Sequence, residues 1–488
     1  MKKSIRRNLL YNIFYQLLTL IAPLVTTPYL ARVMGAEAMG LYSYEYAYAY
    51  FFGMFILLGI NNYGNREIAK ISSNPAEIPK VFEEIYIMQI CSGIIVLGGY
   101  VCYCVFFASD ENLKWFFLIY ILAQIVDINW FWNGLEKFDF IVIRNTVVKI
   151  CSIAGVYVFV KSEKQLNIYT IIMLLSILLG NLLAFIPAGK YFKSWRKEYL
   201  RDIKKHIRPN LMLFIPVIAI SIYKYMDKIM LGILCEKKEV GYYEYSEKII
   251  QIPNAVVNSL GIVMLPRMSS IAAEEKESQE KKVISYSFMF IMSVIPAICF
   301  GLMGIAKEFV PLFYGDGYGA CVDIFYVLLS SCCFVAFANV LRTQYIIPHN
   351  LDAIYVKSVL FGAGINLILN LILISQWKAF GAAIATWFAE GVVCVYQAWK
   401  LRHMLNIKEY IQNATPFLLA GIVMSLILIN IDGNIMPLAL LSIKVILGLF
   451  IYLGLSFLVL MVFPNVRKKF RELCLIGMDR TRKKRKRM

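Results

Sequence analysis

The chain has 488 residues, of which 59% are hydrophobic and 17% charged, and its formal net charge is +18 at pH 7. A soluble protein carries roughly 25% charged residues, so this composition excludes a water-soluble globular domain. The positive charge does not indicate nucleic-acid binding, because the basic residues cluster between apolar stretches, as the positive-inside rule requires of membrane proteins. The composition therefore predicts an all-α polytopic membrane protein.

A membrane-spanning helix needs about 20 mainly apolar residues. About fourteen such stretches follow one another without a soluble domain between them, at roughly 10–30, 41–60, 82–107, 115–133, 141–160, 168–188, 211–234, 246–265, 284–305, 321–346, 355–375, 380–399, 413–431 and 437–463. The chain starts with MKKSIRR and ends with RTRKKRKRM, and an even number of spans puts both basic ends on one side. The positive-inside rule then places both termini in the cytoplasm.

The chain contains an internal repeat, whose second copy runs from Tyr223 to Arg267 and whose first runs from Ala22 to Arg66. Gly241 lies 201 residues after Gly40, and Arg267 lies 201 residues after Arg66. An offset of six spans gives both copies the same orientation, so the repeat axis lies along the membrane normal. We therefore expect two like-oriented lobes of about six helices each, facing each other across a cleft.

The repeat predicts the domain organisation. The N-lobe is expected at 1–209, including the basic connecting loop 189–209, and the C-lobe at 210–400. Two extra helices at 401–464 lie outside the duplication, and a basic cytoplasmic tail follows at 465–488.

Ionisable residues within the spans are the candidate functional residues, because a charge in the membrane is costly unless it faces protein or water. Lys224, Asp227 and Lys228 lie at i, i+3 and i+4 and share one helix face. Lys224 is too deep to reach the headgroups, so we expect a water-filled cavity. Two cations and one anion leave a positive surplus there, which suits a phosphate. The first copy of the repeat has Pro23, Thr26 and Thr27 at these positions, so the charge lies on one wall only.

Other charged residues have structural alternatives. Arg66 and Arg267 end spans on the cytoplasmic side, where they either line the inner mouth of a cavity or reach the headgroups. Asp127 and Lys149 lie at similar depth, and we expect a structural ion pair between them. Glu390 lies near the midplane and is a candidate partner of Lys224 or an ion-coupling residue. Protons or sodium ions are the candidate coupling ions, since buried carboxylates and lysines shift their pKa readily.

Five tyrosines alternate along the second span, at Tyr42, Tyr44, Tyr46, Tyr48 and Tyr50. Membrane-interface belts explain many such residues, and stacking on sugar rings is the alternative. A spacing of two points to several faces of a helix, so these tyrosines do not form one stripe.

Catalytic motifs are absent from the sequence. There is no GxxxxGK[ST] phosphate loop and no HExxH. Three histidines and eleven cysteines do not cluster at metal-ligand spacings, so we expect neither a metal nor another cofactor. The sequence therefore indicates a transporter rather than an enzyme.

Several longer motifs carry a family resemblance: APLVTTPYLARVMGAEAMGLYSY and GINNYGNREIAK in the first half, and MDKIMLG, EVGYYEYSEKI and VMLPRMS in the second. They resemble the polysaccharide repeat-unit flippases of the Wzx type, which serve O-antigen, capsule or teichoic-type polymers. This group belongs to the superfamily of multidrug, oligosaccharidyl-lipid and polysaccharide exporters. The resemblance covers nearly the whole chain.

The resemblance implies that an undecaprenyl-diphosphate-linked oligosaccharide moves from the inner to the outer leaflet of the bacterial cytoplasmic membrane by alternating access. It places Arg66 at a family arginine position. It also implies membrane lipids as partners, with a polysaccharide polymerase and glycosyltransferases as further candidates. A lipid II flippase and a multidrug extruder are the alternatives. An Arg-Asp pair of the lipid II relatives is missing here at Val25-Thr26, and a drug extruder would want an acidic cavity. In fourteen-span relatives the last two helices bind the polyprenyl tail, which assigns that role to 413–463.

Overall fold

A computed structural model describes residues 2–106, 112–191, 202–433, 435–464 and 467–468. Side chains are described within these ranges, except at positions 2–18, 20, 138 and 216. Most of the predicted basic tail and residues 192–201 of the predicted connecting loop lie outside the described residues. The described part of the chain divides into two compact units, with the division between Glu244 and Tyr245. The lobe boundaries expected at 209/210 and 400/401 stay predictions.

Helices make up the first unit, and the described residues contain no strand. Two 3₁₀ turns, Glu163–Gln165 and Gly189–Tyr191, flank its eighth helix. The α-helices are α1 Lys2–Leu57, α2 Ile60–Ile71, α3 Ile78–Phe106, α4 Leu113–Phe116, α5 Leu118–Ile125, α6 Asn129–Gly134, α7 Phe138–Phe159, α8 Leu166–Ala188 and α9 Lys204–Leu234.

The second unit is also helical, and the division between the units falls within α10. A short π-helical segment, Arg342–Ile346, follows α13. The helices are α10 Lys237–Ala273, α11 Glu277–Gly304, α12 Ala306–Tyr314, α13 Ala320–Leu341, α14 Asp352–Leu401, α15 Ile407–Ile429 and α16 Pro437–Val462.

Helices cover all the predicted spans. Within the described residues, 10 helices are long and apolar enough to cross a membrane. Two helices hold two predicted spans each: α1 bends at Gly35, with φ 75°, and α14 bends at Lys378, with φ 49°. Both bends fall in the short connections that the sequence predicted, so one residue with positive φ makes each turn. The all-α, multi-pass membrane fold is confirmed.

Large apolar side chains cover much of the surface. Phe106 is 80% exposed, Ile95 76% and Phe450 68%. In water such a surface would drive aggregation, whereas lipid solvates it, and the helices satisfy their own backbone hydrogen bonds. The outward face is therefore the lipid-facing face.

In the first unit, aromatic residues fill the core between α2, α3 and α6. Trp130 is fully buried and donates its indole N–H to Gln89 Oε1 at 3.0 Å. Gly64 lets α2 approach, because a Cβ there would lie 2.5 Å from the Trp130 ring. The buried Trp130 indole and the Gln89 side chain are thus paired, as burial demands.

In the second unit, α11 is the central helix. The Phe288 ring stacks on Tyr410 of α15 with centroids 4.6 Å apart. The Tyr452 hydroxyl of α16 donates to the Ser293 carbonyl at 2.7 Å. Both helices of the predicted 401–464 segment therefore pack against the second unit.

Candidate functional site

The charged residues predicted on α9 lie against the start of α10. Asp227 accepts a hydrogen bond from the Tyr243 hydroxyl at 2.6 Å. Lys228 Nζ lies 2.6 Å from Glu244 Oε2, and the two side chains are only 10% and 15% exposed. Lys224 is exposed. Tyr243 and Glu244 each come 16 residues after their partner, so both contacts join the end of α9 to the start of α10.

Glu244 changes the predicted electrostatics. The sequence-based interpretation counted two cations and one anion, but Glu244 adds a second anion beside Lys228. These four groups are therefore formally neutral together, and the expected positive surplus among them is wrong. Lys224, which is exposed, remains the accessible cation of the group.

A cluster of tyrosines adjoins these charges. Tyr42, Tyr46 and Tyr50 lie at i, i+4 and i+8 on one face of α1. The Tyr225 ring of α9 lies 4.1 Å from Tyr50 and 6.2 Å from Tyr46, measured between centroids. Tyr120 of α5 lies 5.4 Å from Tyr46. We call these residues, together with Tyr169, which lies 5.0 Å from Tyr42, the tyrosine cluster.

Both lysines of α9 approach one ring of this cluster. Lys224 Nζ lies 5.4 Å and Lys228 Nζ 5.6 Å from the centroid of Tyr225. A cation within about 6 Å of an aromatic face is attracted by its electron density. The arrangement therefore combines ammonium groups, which bind phosphates, with aromatic faces, which stack on apolar faces of sugars.

The remaining alternate tyrosines form a second stripe, as the spacing predicted. Tyr44 and Tyr48 lie on another face of α1, with ring centroids 5.0 Å apart. Lys237 Nζ lies 3.3 Å from the Tyr44 centroid and donates to the Gly232 carbonyl. A Cβ on Gly232 would lie 1.9 Å from the Tyr44 ring, so glycine is required for this contact. This stripe packs α1 onto α9 and α10.

The two predicted arginines lie on different helices. Arg66 is on α2, with Nε 3.4 Å from Glu67 Oε1 and its side chain 53% exposed. Arg267 is exposed on α10 and lines a pocket of about 310 Å³ with Lys282 and Tyr286. Arg66 belongs to the first unit and Arg267 to the second.

The predicted ion pair between Asp127 and Lys149 is wrong. Asp127 accepts hydrogen bonds from Asn129, from its backbone N–H at 2.8 Å and from Nδ2 at 2.6 Å. Arg144 in turn donates to Asn129 Oδ1 at 2.6 Å. Asp127 thus bonds to the first residue of α6, and Arg144 is the cation of this hydrogen-bond network. Glu390 is half-buried on α14 of the second unit, and its relation to Lys224 stays a prediction.

A buried network in the first unit was not predicted. His206 of α9 accepts or donates at both ring nitrogens: Nδ1 lies 2.6 Å from the Tyr63 hydroxyl, and Nε2 lies 2.9 Å from Glu84 Oε2. Lys205 Nζ lies 2.8 Å from the same carboxylate, which is fully buried. Asp202 lies 3.2 Å from Lys80. No sequence signal identifies this network, because its residues come from three segments that are distant in the chain.

A second buried pair was also missed. Lys444 of α16 is fully buried and lies 2.7 Å from Glu308 Oε1 of α12. By the predicted spans, Glu308 falls in the connection between 284–305 and 321–346, and Lys444 falls within the span 437–463. Among the described residues, Glu308 Oε2 is buried without a hydrogen-bond partner.

An apolar groove of about 670 Å³ runs between α15 and α16. Leu419 and Val423 line one side, and Leu455 and Leu458 line the other. Gln412 and Asn413 lie at its polar end. The groove falls within the 413–463 segment to which the resemblance assigned lipid-tail binding.

Comparison with known proteins decides the family. Residues 5–272, more than half of the chain, match the family described as "Polysaccharide biosynthesis protein". The chain belongs to this family. A protein named putative O-antigen transporter, from Escherichia coli (strain K12), is 22% identical over 80% of this chain and 95% of its own length. The match confirms the resemblance to Wzx-type polysaccharide flippases.

Two further proteins resemble this member of the polysaccharide biosynthesis family, one in sequence and one in structure. A protein of Haloferax volcanii named probable low-salt glycan biosynthesis flippase is 23% identical over 57% of this chain and 59% of its own length. A solved structure titled lipid II flippase MurJ, inward closed conformation, matches with a TM-score of 0.71 and 15% identity, covering 92% of this chain and 97% of that one. At this identity the structural likeness shows the fold alone.

Proposed function

We propose that this family member flips undecaprenyl-diphosphate-linked oligosaccharide repeat units from the inner to the outer leaflet of the bacterial cytoplasmic membrane. One observation carries the proposal: Lys224 and Lys228 both lie at the face of Tyr225, within the tyrosine cluster. A diphosphate-linked sugar presents an anion next to a ring, and this site presents cations next to aromatic faces. The names of the relatives support a transporter of glycans rather than an enzyme.

The proposed mechanism is alternating access. Lys224 contacts the diphosphate, while Lys228, paired with Glu244, lies at the same Tyr225 ring. The half-buried rings of Tyr42, Tyr46 and Tyr50 support the sugars. The exposed side chains of Arg66 in the first unit and Arg267 in the second each recruit the anionic head on the cytoplasmic side. No covalent chemistry is required, because the transported molecule only changes leaflet.

The groove between α15 and α16 holds the polyprenyl chain in this proposal. Its walls are leucine and valine side chains, so an isoprenoid chain stays in an apolar environment while the head crosses. Glu390 couples the movement to protons or sodium ions. Both termini face the cytoplasm, and a polysaccharide polymerase and glycosyltransferases are the partners that use and supply the lipid-linked glycan.

Complementation of an export-deficient strain tests the function. The wild-type chain restores surface polysaccharide, and Lys224→Gln lowers export about tenfold, as expected for one lost charged contact of ~1.5–3 kcal/mol. Lys224→Arg retains most export, since the charge is kept. Lys164→Gln, in an exposed turn before α8, is the matched control and exports normally.

Three outcomes would contradict the proposal. Normal export by both the Lys224→Gln and the Lys228→Gln variant would show that these lysines are not the site that binds the diphosphate. Rescue of a strain lacking its lipid II flippase, without rescue of glycan export, would assign peptidoglycan precursors as the substrate. Resistance to cationic drugs as the sole phenotype would assign multidrug extrusion.

A further inference from the structure

A second basic site lies in the second unit, at the beginnings of α11 and α15. It is a cavity of about 530 Å³, which we call the lysine cavity. Lys281 and Lys282 of α11 and Lys468 line it, together with Tyr286, Gln412 and Asn413. None of these lysines was identified from the sequence as a candidate site residue.

The lysine cavity is continuous with the apolar groove between α15 and α16. Gln412 and Asn413 line both spaces, so the polar end of the groove opens on the lysines. Along α15 the groove reaches from Gln412 to Val423, which is about 16 Å at the helical rise of ~1.5 Å per residue. This length is about half of the ~30 Å hydrocarbon core. A molecule filling both spaces has an apolar part in one leaflet and a polar head at its surface.

The charges in the cavity favour an anionic head. Glu409 is the carboxylate among its lining residues, against three lysines. Two further carboxylates lie on α11: Glu277 is bonded to Lys281, and Glu280 lies 2.8 Å from His349 Nε2. Among the lining residues alone, three lysines stand against one carboxylate, whereas Glu277 and Glu280 do not line the cavity, and lysine ammonium groups bind phosphate as point charges.

The basic lining continues beyond the lysine cavity. Lys282 and Tyr286 also line the pocket of about 310 Å³ that contains Arg267. One apolar groove thus leads to two successive polar spaces. A membrane phospholipid has two acyl chains and a small head, whereas a polyprenyl diphosphate has one chain and an extended anionic head.

We infer that the lysine cavity binds the diphosphate of a polyprenyl carrier lipid whose chain occupies the α15–α16 groove, as a loading site within the second unit. The inference rests on the proposed function and names where the lipid-linked glycan is first held. Lys281, Lys282 and Lys468 contact the phosphates, and Arg267 lies toward the attached sugar.

Binding of a polyprenyl diphosphate to the purified full-length chain in phosphatidylcholine nanodiscs tests this assignment. Replacing Lys281, Lys282 and Lys468 together by glutamine is expected to weaken binding about tenfold or more, since the cavity then loses its three ammonium groups. Filling the groove with Leu419→Trp and Leu458→Trp also weakens binding. The matched controls bind normally: Lys276→Gln removes an exposed, carboxylate-paired lysine outside the cavity, and Leu426→Trp alters an exposed position of α15 outside the groove.

The outcomes separate the loading site from the proposed function. Unchanged binding by the folded triple-glutamine variant overturns the loading site, whatever the export result. Equally tight, competing binding of phosphatidylglycerol also overturns it and assigns a phospholipid site. A variant with Lys281→Gln, Lys282→Arg and Lys468→Gln that binds more tightly than the triple-glutamine variant supports the loading site. If the wild-type chain binds polyprenyl diphosphate but does not restore export in the deficient strain, the proposed function is contradicted instead.

Discussion

Gly40 of α1 and Gly241 of α10 lie at one close helix crossing. A Cβ on Gly40 would lie 1.7 Å from the Lys237 carbonyl oxygen, and a Cβ on Gly241 would lie 1.9 Å from that of Ala36. The contact is reciprocal, because Ala36 and Lys237 are also 201 residues apart. Such exchange of roles is what a local twofold relation produces at its axis.

Replacing either glycine should separate the two helices. Gly40→Ala and Gly241→Ala each place a methyl group against backbone, which does not move cheaply, and overpacking costs about 1–3 kcal/mol. This exceeds the ~1 kcal/mol that alanine gains in helix propensity. Thermal unfolding in detergent should show a Tm lower by several degrees. Gly98→Ala, on α3 with open space around it, should leave Tm unchanged or raise it.

The Lys228–Glu244 pair should separate stability from transport. Lys228→Met removes the cation beside the largely buried Glu244 carboxylate and should lower thermal stability. The double variant Lys228→Met with Glu244→Gln should recover most of the lost stability, with a coupling free energy between the two sites of about 1–3 kcal/mol. If Lys228 contributes to substrate binding, glycan export stays low in the double variant. Recovery of export together with stability would reduce Lys228 to a structural role.

The Lys444–Glu308 pair should anchor α16 to the second unit. Lys444→Met leaves the buried Glu308 carboxylate without its cation, which costs about 3–5 kcal/mol for a buried pair. Adding Glu308→Gln should restore much of this loss. Thermal unfolding and protease sensitivity of the C-terminal helices measure it. Lys307→Met, at the exposed neighbouring position, serves as the control, and an equal loss there would contradict the anchor.

The Glu84 network should fasten the start of α9 to α3. Glu84→Gln keeps the shape but removes the charge that faces His206 and Lys205, so hydrogen exchange at residues 204–210 should accelerate. Glu77→Gln, which alters an exposed carboxylate near the start of α3, should not change it. Protection unchanged in Glu84→Gln would show that packing alone holds α9.

Asp202 adds a pH dependence to this attachment. The hydrogen bond from Lys80 holds the pKa of the Asp202 carboxyl below its ordinary value. A lowered folded-state pKa means that the contribution is present above the unfolded pKa of ~3.9 and is lost as the pH falls through the folded value. The wild type should therefore lose protection at 204–210 in acid more steeply than Asp202→Asn. Identical acid profiles would exclude the contribution.

The tyrosines show where local pattern was sufficient. Alternate spacing along one helix necessarily distributes side chains over several faces, and Tyr42, Tyr46 and Tyr50 indeed separate from Tyr44 and Tyr48. Which stripe faces the α9 lysines depends on how α1 rotates against α9, and a single helix does not specify this rotation. The Tyr50–Tyr225 contact was therefore beyond sequence reasoning.

The sequence by itself determined the class of protein, the spans and the short connections in which α1 and α14 bend, because hydropathy and chain connectivity are local properties. The tertiary structure decided the partners of the charges. Lys228 pairs with Glu244, Lys444 with Glu308, and Asp127 with Asn129 rather than with Lys149. Such partners depend on the rotation of each helix about its axis and on its position along that axis. A helix that is apolar on all sides has no sequence pattern that indicates either. A buried charge takes whichever counter-charge the packed helices bring within reach.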